Sequence, residues 1–447
     1  VLTTPPREPA APAPPGGRTP PIARLRHALK DDLVANSFHQ MLTTVVMAGV
    51  GSLFWLVCAR TYSTAEVGVA TTLISASSFI SLASLLGFNS GFLYYLPRSS
   101  RRSDHLTTGL LLVAAVSVAV GLGYLLLLRL LPGWYPELEP VVRSPWLALV
   151  FVLLTCALSV NTLTSSAFTA YRATRWNLAI DGGLMSTCKL LGVLALAGAG
   201  AFGIFAASGF GALVAALVSV AVLVRRFGFR PGFTLHKDLV RQVARFTSGS
   251  YVAYLLNIAP TSLIPMLVLA HQGAAQSGHL YMAFMVANVV FGAAHAITSS
   301  TFTETSYGDR PLGAVVRKAV TVLAAVLVPA AAFIAWQADF IMGVFGPEYA
   351  PAAPALVVFM ASAPLVAAYD IGTVVLRARG RVGAFVLVNL VSCVSILTLV
   401  LLWADRGLVP VATAWGAGTG AAVLTCLLLL ARRTPARPAA DVAAVQA

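Results

Sequence analysis

RRFGFRPGFTLHKDLVRQVARF, residues Arg225–Phe246, is a strongly basic stretch in the middle of a very apolar chain. It carries six Lys and Arg and one acid, Asp238. What lies on either side of it decides the fold. A helix needs about 20 apolar residues to cross a bilayer. Upstream, six such runs fall near residues 36–60, 67–95, 106–130, 146–170, 177–198 and 202–224. Downstream, six more fall near 247–270, 277–302, 315–336, 353–376, 383–403 and 408–431. The sequence therefore predicts an all-α polytopic membrane protein of twelve transmembrane helices in two six-helix bundles.

The composition agrees. Of 447 residues, 58% are hydrophobic and 10% charged, and the mean hydropathy is +0.83. Soluble domains carry about 25% charged residues, so a soluble enzyme, a disordered protein and a secreted disulfide scaffold are excluded. A membrane β-barrel is excluded too, because its strands alternate in polarity over segments of about 10 residues. The five cysteines fall in apolar segments without metal-ligand spacing and read as packing residues. Arg outnumbers Lys 26 to 4 and Ala is abundant, the composition expected of a GC-rich bacterial genome, with Val1 read as a literal GTG start.

Basic residues alternate by side. With the N-terminus on side one, 25 of the 30 Lys and Arg fall in the loops and tails of that side, and only Arg60, Arg129, Arg143 and Arg406 on the other. The positive-inside rule puts side one, with both termini, in the cytoplasm. The same positions explain the net charge of +14 without nucleic acid. The expected organisation is a Pro-rich tail over 1–35, bundles over 36–224 and 247–431, a basic linker over 225–246 and a tail over 432–447. The tail lacks the apolar core of a signal peptide and ends in an amphipathic stretch through Ile22, Leu25, Leu29 and Leu33. In the linker, Leu239, Val243 and Phe246 are expected in the lipid boundary, with Lys237, Arg241 and Arg245 toward headgroups.

Sliding the chain by 210 residues sets His27–Phe38 on Lys237–Ser248, and TAEVG (64–68) on AAQSG (274–278). Few identities are shared, but the span pattern repeats with it. Six is even, so the halves share one orientation and are related by an axis along the membrane normal, with a substrate path between them.

The loops and motifs narrow the chemistry. The far-side loops are short, the largest near Leu131–Pro145, which disfavours a membrane-embedded glycan transferase or ligase. No GxxxxGK[ST], HExxH or GxSxG pattern occurs. The expectation is a transporter, not an enzyme, with no cofactor and no metal.

ARTYSTAEVG (Ala59–Gly68) and LGFNSGFLYYLP (Leu86–Pro97) resemble the start of bacterial polysaccharide flippases of the multidrug/oligosaccharidyl-lipid/polysaccharide exporter superfamily. FGPEYAPAAPAL (Phe345–Leu356), LRARGR (Leu376–Arg381) and VPVATAWGAG (Val409–Gly418) are similar to its later turns and last span. The resemblance implies a V of two six-helix bundles around a central cavity. It implies flipping of a lipid-linked oligosaccharide or polysaccharide precursor from the inner to the outer leaflet, for cell-surface polysaccharide synthesis. A drug/cation antiporter of the same superfamily is the alternative. The implied partners are an anionic polyprenyl-pyrophosphate-type oligosaccharide, membrane lipids, and a glycan polymerase or glycosyltransferases, in the bacterial inner membrane. Physically, Ser63-x-x-Glu66 reads as a capping box, and Pro260, Pro265 and Pro364 as kink-permitting positions within spans.

Charges inside spans are costly, about 2.5–3.5 kcal/mol at the centre on the insertion scale. Lys189 stands 13 residues past Trp176, roughly 20 Å along the fifth span. Asp181 lies about 12 Å below it, too far to pair, and Asp370 about 10 Å inside the tenth span's cytoplasmic end. Candidate substrate contacts are Lys189, Arg60 at the outer mouth, Arg172 and Arg175 at the inner one, and Asn257, Asn288 and His295. Asp181 and Asp370 are the candidate ion-coupling residues. Each also has a structural reading: a packing ion pair for Lys189, hydrated polar residues for the acids, positive-inside anchors for the arginines and interhelical hydrogen-bonders for the rest. Coupling to Na⁺, to H⁺ or to the membrane potential stays open. Two negative charges moving outward through 100 mV gain about 4.6 kcal/mol.

Overall fold

The computed structural model describes residues 32–131, 133–307 and 312–431. Residues 1–31 of the tail expected over 1–35, with Ile22, Leu25 and Leu29, and the tail expected over 432–447 lie outside them, while 32–35 belong to the first helix. No strand occurs among the described residues. Among the described residues, twelve helices are long and apolar enough to cross a membrane. They are α1 (Asp32–Thr61), α2 (Thr64–Ser84), α3 (Arg102–Leu130), α4 (Pro145–Ala170), α5 (Arg175–Ala195) and α6 (Gly200–Phe227). Then follow α7 (Lys237–Gln272), α8 (Ala274–Tyr307), α9 (Leu312–Trp336), α10 (Ala353–Ala378), α11 (Val382–Trp403) and α12 (Leu408–Ala431). The end of the molecule holding the 225–246 linker is called the basic face here, and the opposite end the far face.

Local signals account for the boundaries. Ser63 Oγ accepts from the Glu66 amide while Glu66 Oε2 accepts from the Ser63 amide at 2.9 Å, the expected capping box at the start of α2. Pro347 opens a short 3₁₀ turn through Ala352 that leads into α10. The run expected to continue to residue 95 is instead broken. Leu86 and Gly87 both take positive φ, 48° and 79°, and a separate helix, Phe88–Tyr95, follows. Two consecutive left-handed residues cannot continue a right-handed helix.

In the first half, α4 packs against α2, α3 and α6, and α5 lies between α1 and α6. In the second, α10 is the hub for α8, α9 and α12, and α11 lies between α7 and α12. The halves join chiefly through α2, which packs on both α7 and α8. One core cluster crosses this join, from Phe54, Trp55 and Val67 to Phe291, Phe359 and Trp415.

The linker differs from expectation. Leu239 and Val243 are 4% and 0% exposed, covered by protein rather than by lipid. A Cβ on Gly91 would lie 2.8 Å from Val243 Cγ1, and Phe246 stacks on Tyr94 at 4.7 Å. The cause is the break at Leu86–Gly87, which frees Phe88–Tyr95 to present an apolar surface to the start of α7.

Candidate functional site

α1 and α5 together hold the buried cation. The Lys189 ammonium lies 4.1 Å from the Phe54 ring centroid and 5.9 Å from that of Trp55. Trp55 in turn meets Tyr281 of α8 at 4.7 Å, across the join between the halves. Lys189 has no ion-pair partner among the described residues. An aromatic face compensates an ammonium by about 2 kcal/mol when desolvated, less than a carboxylate would, so this charge stays available to an anion. Six residues separate Lys189 from the end of α5, about 9 Å, which places it in the far-face half of the bundle.

Asp181 is elsewhere. It is 7% exposed and points at α4, where Ser165 Oγ donates to Oδ2 at 2.6 Å and Asn161 Nδ2 to Oδ1 at 2.9 Å. One turn earlier, Asn177 Nδ2 donates to the Ser165 carbonyl at 3.2 Å and to Thr169 Oγ1 at 3.1 Å. Asn161 Oδ1 and Asn177 Oδ1 are buried without a donor among the described residues. The segment Leu178–Met185 is a π-helical turn, and Asn177 and Asp181, four residues apart, both face α4. The result is an oxygen-rich pocket inside the first half.

The second half gathers three of the named residues. His295 Nδ1 of α8 stands 3.6 Å from Asp370 Oδ2 of α10, with side chains 72% and 14% exposed. Asn257 Nδ2 donates to Tyr369 Oη at 3.1 Å, and Tyr369 Oη donates to Asn389 Oδ1 at 2.7 Å. Asn288 is exposed on the same stripe of α8 as Gly292 and His295. Arg60 Nε donates to the Val344 carbonyl at 3.0 Å, tying the far-face end of α1 to the helix Ala338–Phe345. Arg172, at φ 53°, and Arg175 are exposed at the α4–α5 turn on the basic face. The candidates thus fall into separate groups, not one cluster. Phe54, Trp55, Tyr281, Ser165, Asn177 and Tyr369 were not singled out from the sequence. Polar residues four apart, Asn161 with Ser165 and Asn177 with Asp181, were the available signal for the α4–α5 pocket. Among the described residues no His, Cys, Asp and Glu group could hold a metal ion.

The offset of 210 residues carries α1 onto α7 and α2 onto α8, so the seams α2–α7 and α1–α8 are equivalent. They are not in the same state. The α2–α7 seam is closed along its length. Thr72 Oγ1 of α2 donates to the Pro265 carbonyl of α7 at 3.4 Å, and Tyr251 Oη of α7 donates to the Leu82 carbonyl of α2 at 3.2 Å. At the basic face, Arg101 bridges Asp104 at 2.9 Å and Asp238 at 3.1 Å. Desolvation pulls the Asp238 carboxyl upward, but the Arg101 hydrogen bond and charge, together with backbone hydrogen bonds, outweigh it and hold it below the usual carboxylate range. The α1–α8 seam meets at Trp55–Tyr281. Toward the basic face, α1 exposes Met41, Thr44 and Val45 and α8 exposes Asn288, Val289 and His295.

Solved structures share this fold. The lipid II flippase MurJ in an inward closed conformation matches with a TM-score of 0.73 at 10% identity, over 89% of this chain and 88% of that one. A MOP-superfamily transporter from Pyrococcus furiosus, described as having a binding pocket of reversed polarity, matches at 0.60 with 14% identity, over 97% and 100%. An inward-facing multidrug resistance MATE family transporter of the MOP superfamily matches at 0.57 with 13% identity, over 92% and 95%. No family model and no curated protein matches the sequence. The chain has the fold of these transporters, two six-helix halves around a central cavity.

Proposed function

We propose that this protein is a flippase of the bacterial inner membrane, moving an anionic lipid-linked oligosaccharide precursor from the inner to the outer leaflet by alternating access. The basic face is then cytoplasmic, and no covalent chemistry is involved. The observation that carries the reading is the inequality of the two seams. A lipid-linked substrate must bring its head group into a polar cavity while its chain stays in the bilayer. A seam that meets near the far face, Trp55 against Tyr281, supports sideways entry. Lys189 at its closed end suits a pyrophosphate, and its charge works against an organic cation. Glycosyltransferases or a glycan polymerase would act before and after such a step. In this reading Asp181 and Asp370 couple transport to Na⁺ or H⁺, or the membrane potential drives it alone.

The drug/cation antiporter is the second reading. It is favoured by the Asp181 pocket, a buried carboxylate with two donor-less amide oxygens and no cationic partner among the described residues. Reconstitution separates the two. The purified chain is placed in vesicles holding a fluorescent polyprenyl-pyrophosphate saccharide, and leaflet transfer is followed by quenching with an impermeant reductant. Transfer well above protein-free vesicles is expected. Ethidium exchange for Na⁺ or H⁺ without lipid transfer would transfer the assignment to the second reading.

A further inference from the structure

The linker's charges are left over once its apolar face has been used. Arg225 and Arg226 close the last turn of α6. Lys237, Arg241 and Arg245 recur every fourth residue along the start of α7, one stripe of that helix. With Arg230 these six are all exposed. None of their side chains has an ion-pair partner among the described residues. The nearby acids Asp104 and Asp238 are both held by Arg101, at 2.9 and 3.1 Å.

An amphipathic helix beside a membrane ordinarily binds by sinking its apolar face into the acyl boundary. Here Leu239 and Val243 are buried under Phe88–Tyr95, so that mode is closed. What the segment still offers is cations, at fixed depth. Arg226 stands one residue before the end of α6, and Arg245 four before the membrane-crossing part of α7 begins at Gly249. Both flanks are pinned to spans, so the cations cannot leave the bilayer surface. Guanidinium forks match phosphate oxygens in pairs, and long basic stems reach headgroups from a span's end.

We infer that the 225–246 linker is a docking surface for anionic phospholipid headgroups of the leaflet on the basic face. The headgroups supply the counter-charge that the protein does not. Because the strap is packed on the first half and continuous with α7 of the second, lipid held there braces the α2–α7 seam.

The test is lipid retention by the full-length protein. Purified chain is equilibrated with equimolar phosphatidylglycerol and phosphatidylcholine in detergent, and bound lipids are counted by native mass spectrometry. A several-fold preference for phosphatidylglycerol is expected, weakening as salt rises. The variant K237Q/R241Q/R245Q should lose most of it, and R129Q/R143Q, at the other face, should keep it. The variant R241K/R245K, which conserves charge, should retain most of the preference; its loss there would mean a packing effect and overturn the inference. So would an unchanged preference in the triple Gln variant, or equal displacement of the lipid by the same concentration of inorganic phosphate.

Discussion

Gly68 of α2 and Gly278 of α8 are seated against each other's backbone. A Cβ on Gly68 would lie 2.8 Å from the Gly278 nitrogen, and a Cβ on Gly278 3.2 Å from the Gly68 nitrogen. The two are 210 residues apart, the same offset that aligns the halves. Equivalent residues of a repeat can touch reciprocally only beside the axis that relates them, so the pseudo-two-fold passes between these glycines. Their contact closes the far face.

A side chain at this crossing should hold the far face open. Backbone atoms cannot yield as a flexible side chain can, and overpacking costs about 1–3 kcal/mol, a five- to hundred-fold shift between conformers. Spin labels at Thr64 and Gln276 in a Gly68→Val background should show a longer distance than in the parent. An unchanged distance distribution would mean that the crossing is not a gate.

Lys189→Met should abolish lipid transfer without lowering protein level. The insertion cost of the charge, about 2.5–3.5 kcal/mol, exceeds the roughly 2 kcal/mol returned by Phe54 and Trp55, so its removal does not weaken the fold. Lys189→Arg should keep partial activity, since the charge survives with altered reach. Full transfer by a well-expressed Met variant would remove Lys189 from the mechanism.

The Asp181 pocket should separate structure from coupling. Asn161→Ala withdraws a charge-assisted hydrogen bond worth about 1.5–3 kcal/mol and should lower thermal stability in detergent. Asp181→Asn removes the charge while keeping shape, and should fold. Its transport should no longer respond to a Na⁺ or pH gradient. A retained gradient response would leave this carboxylate a packing group.

The strap should be insensitive to pH across the physiological range. The Asp238 carboxyl is held low, so its contribution is complete above the unfolded value near 3.9. It is lost only as pH falls through the lower folded value. Thiol labelling of Val243→Cys, buried in the parent, should therefore stay slow from pH 8 to 5. Arg101→Gln should speed it at every pH in that window. Labelling that accelerates between pH 7 and 5 would overturn this expectation.

Hydropathy and basic-residue counting were enough to read twelve helices and two six-span halves, because a bilayer admits only long apolar helices or closed barrels, and this sequence lacks a barrel's alternation. The capping box at Ser63–Glu66 was equally readable, being settled within four residues. The repeat was visible as an offset, TAEVG over AAQSG, though not that these two strings touch. What only the tertiary structure decided is how side chains on different helices meet. Asp181 and Lys189 share α5, yet one is hydrogen-bonded by Asn161 and Ser165 of α4 while the other lies against Phe54 of α1. His295 and Asp370, 75 residues apart in sequence, meet across two helices. Leu239 and Val243 read as lipid-facing because hydropathy does not distinguish a lipid tail from an apolar helix. The partner that claims them exists only because Leu86 and Gly87 turn the chain. Each half follows from its own sequence, whereas which equivalent seam stands closed depends on contacts between halves, which no local pattern records.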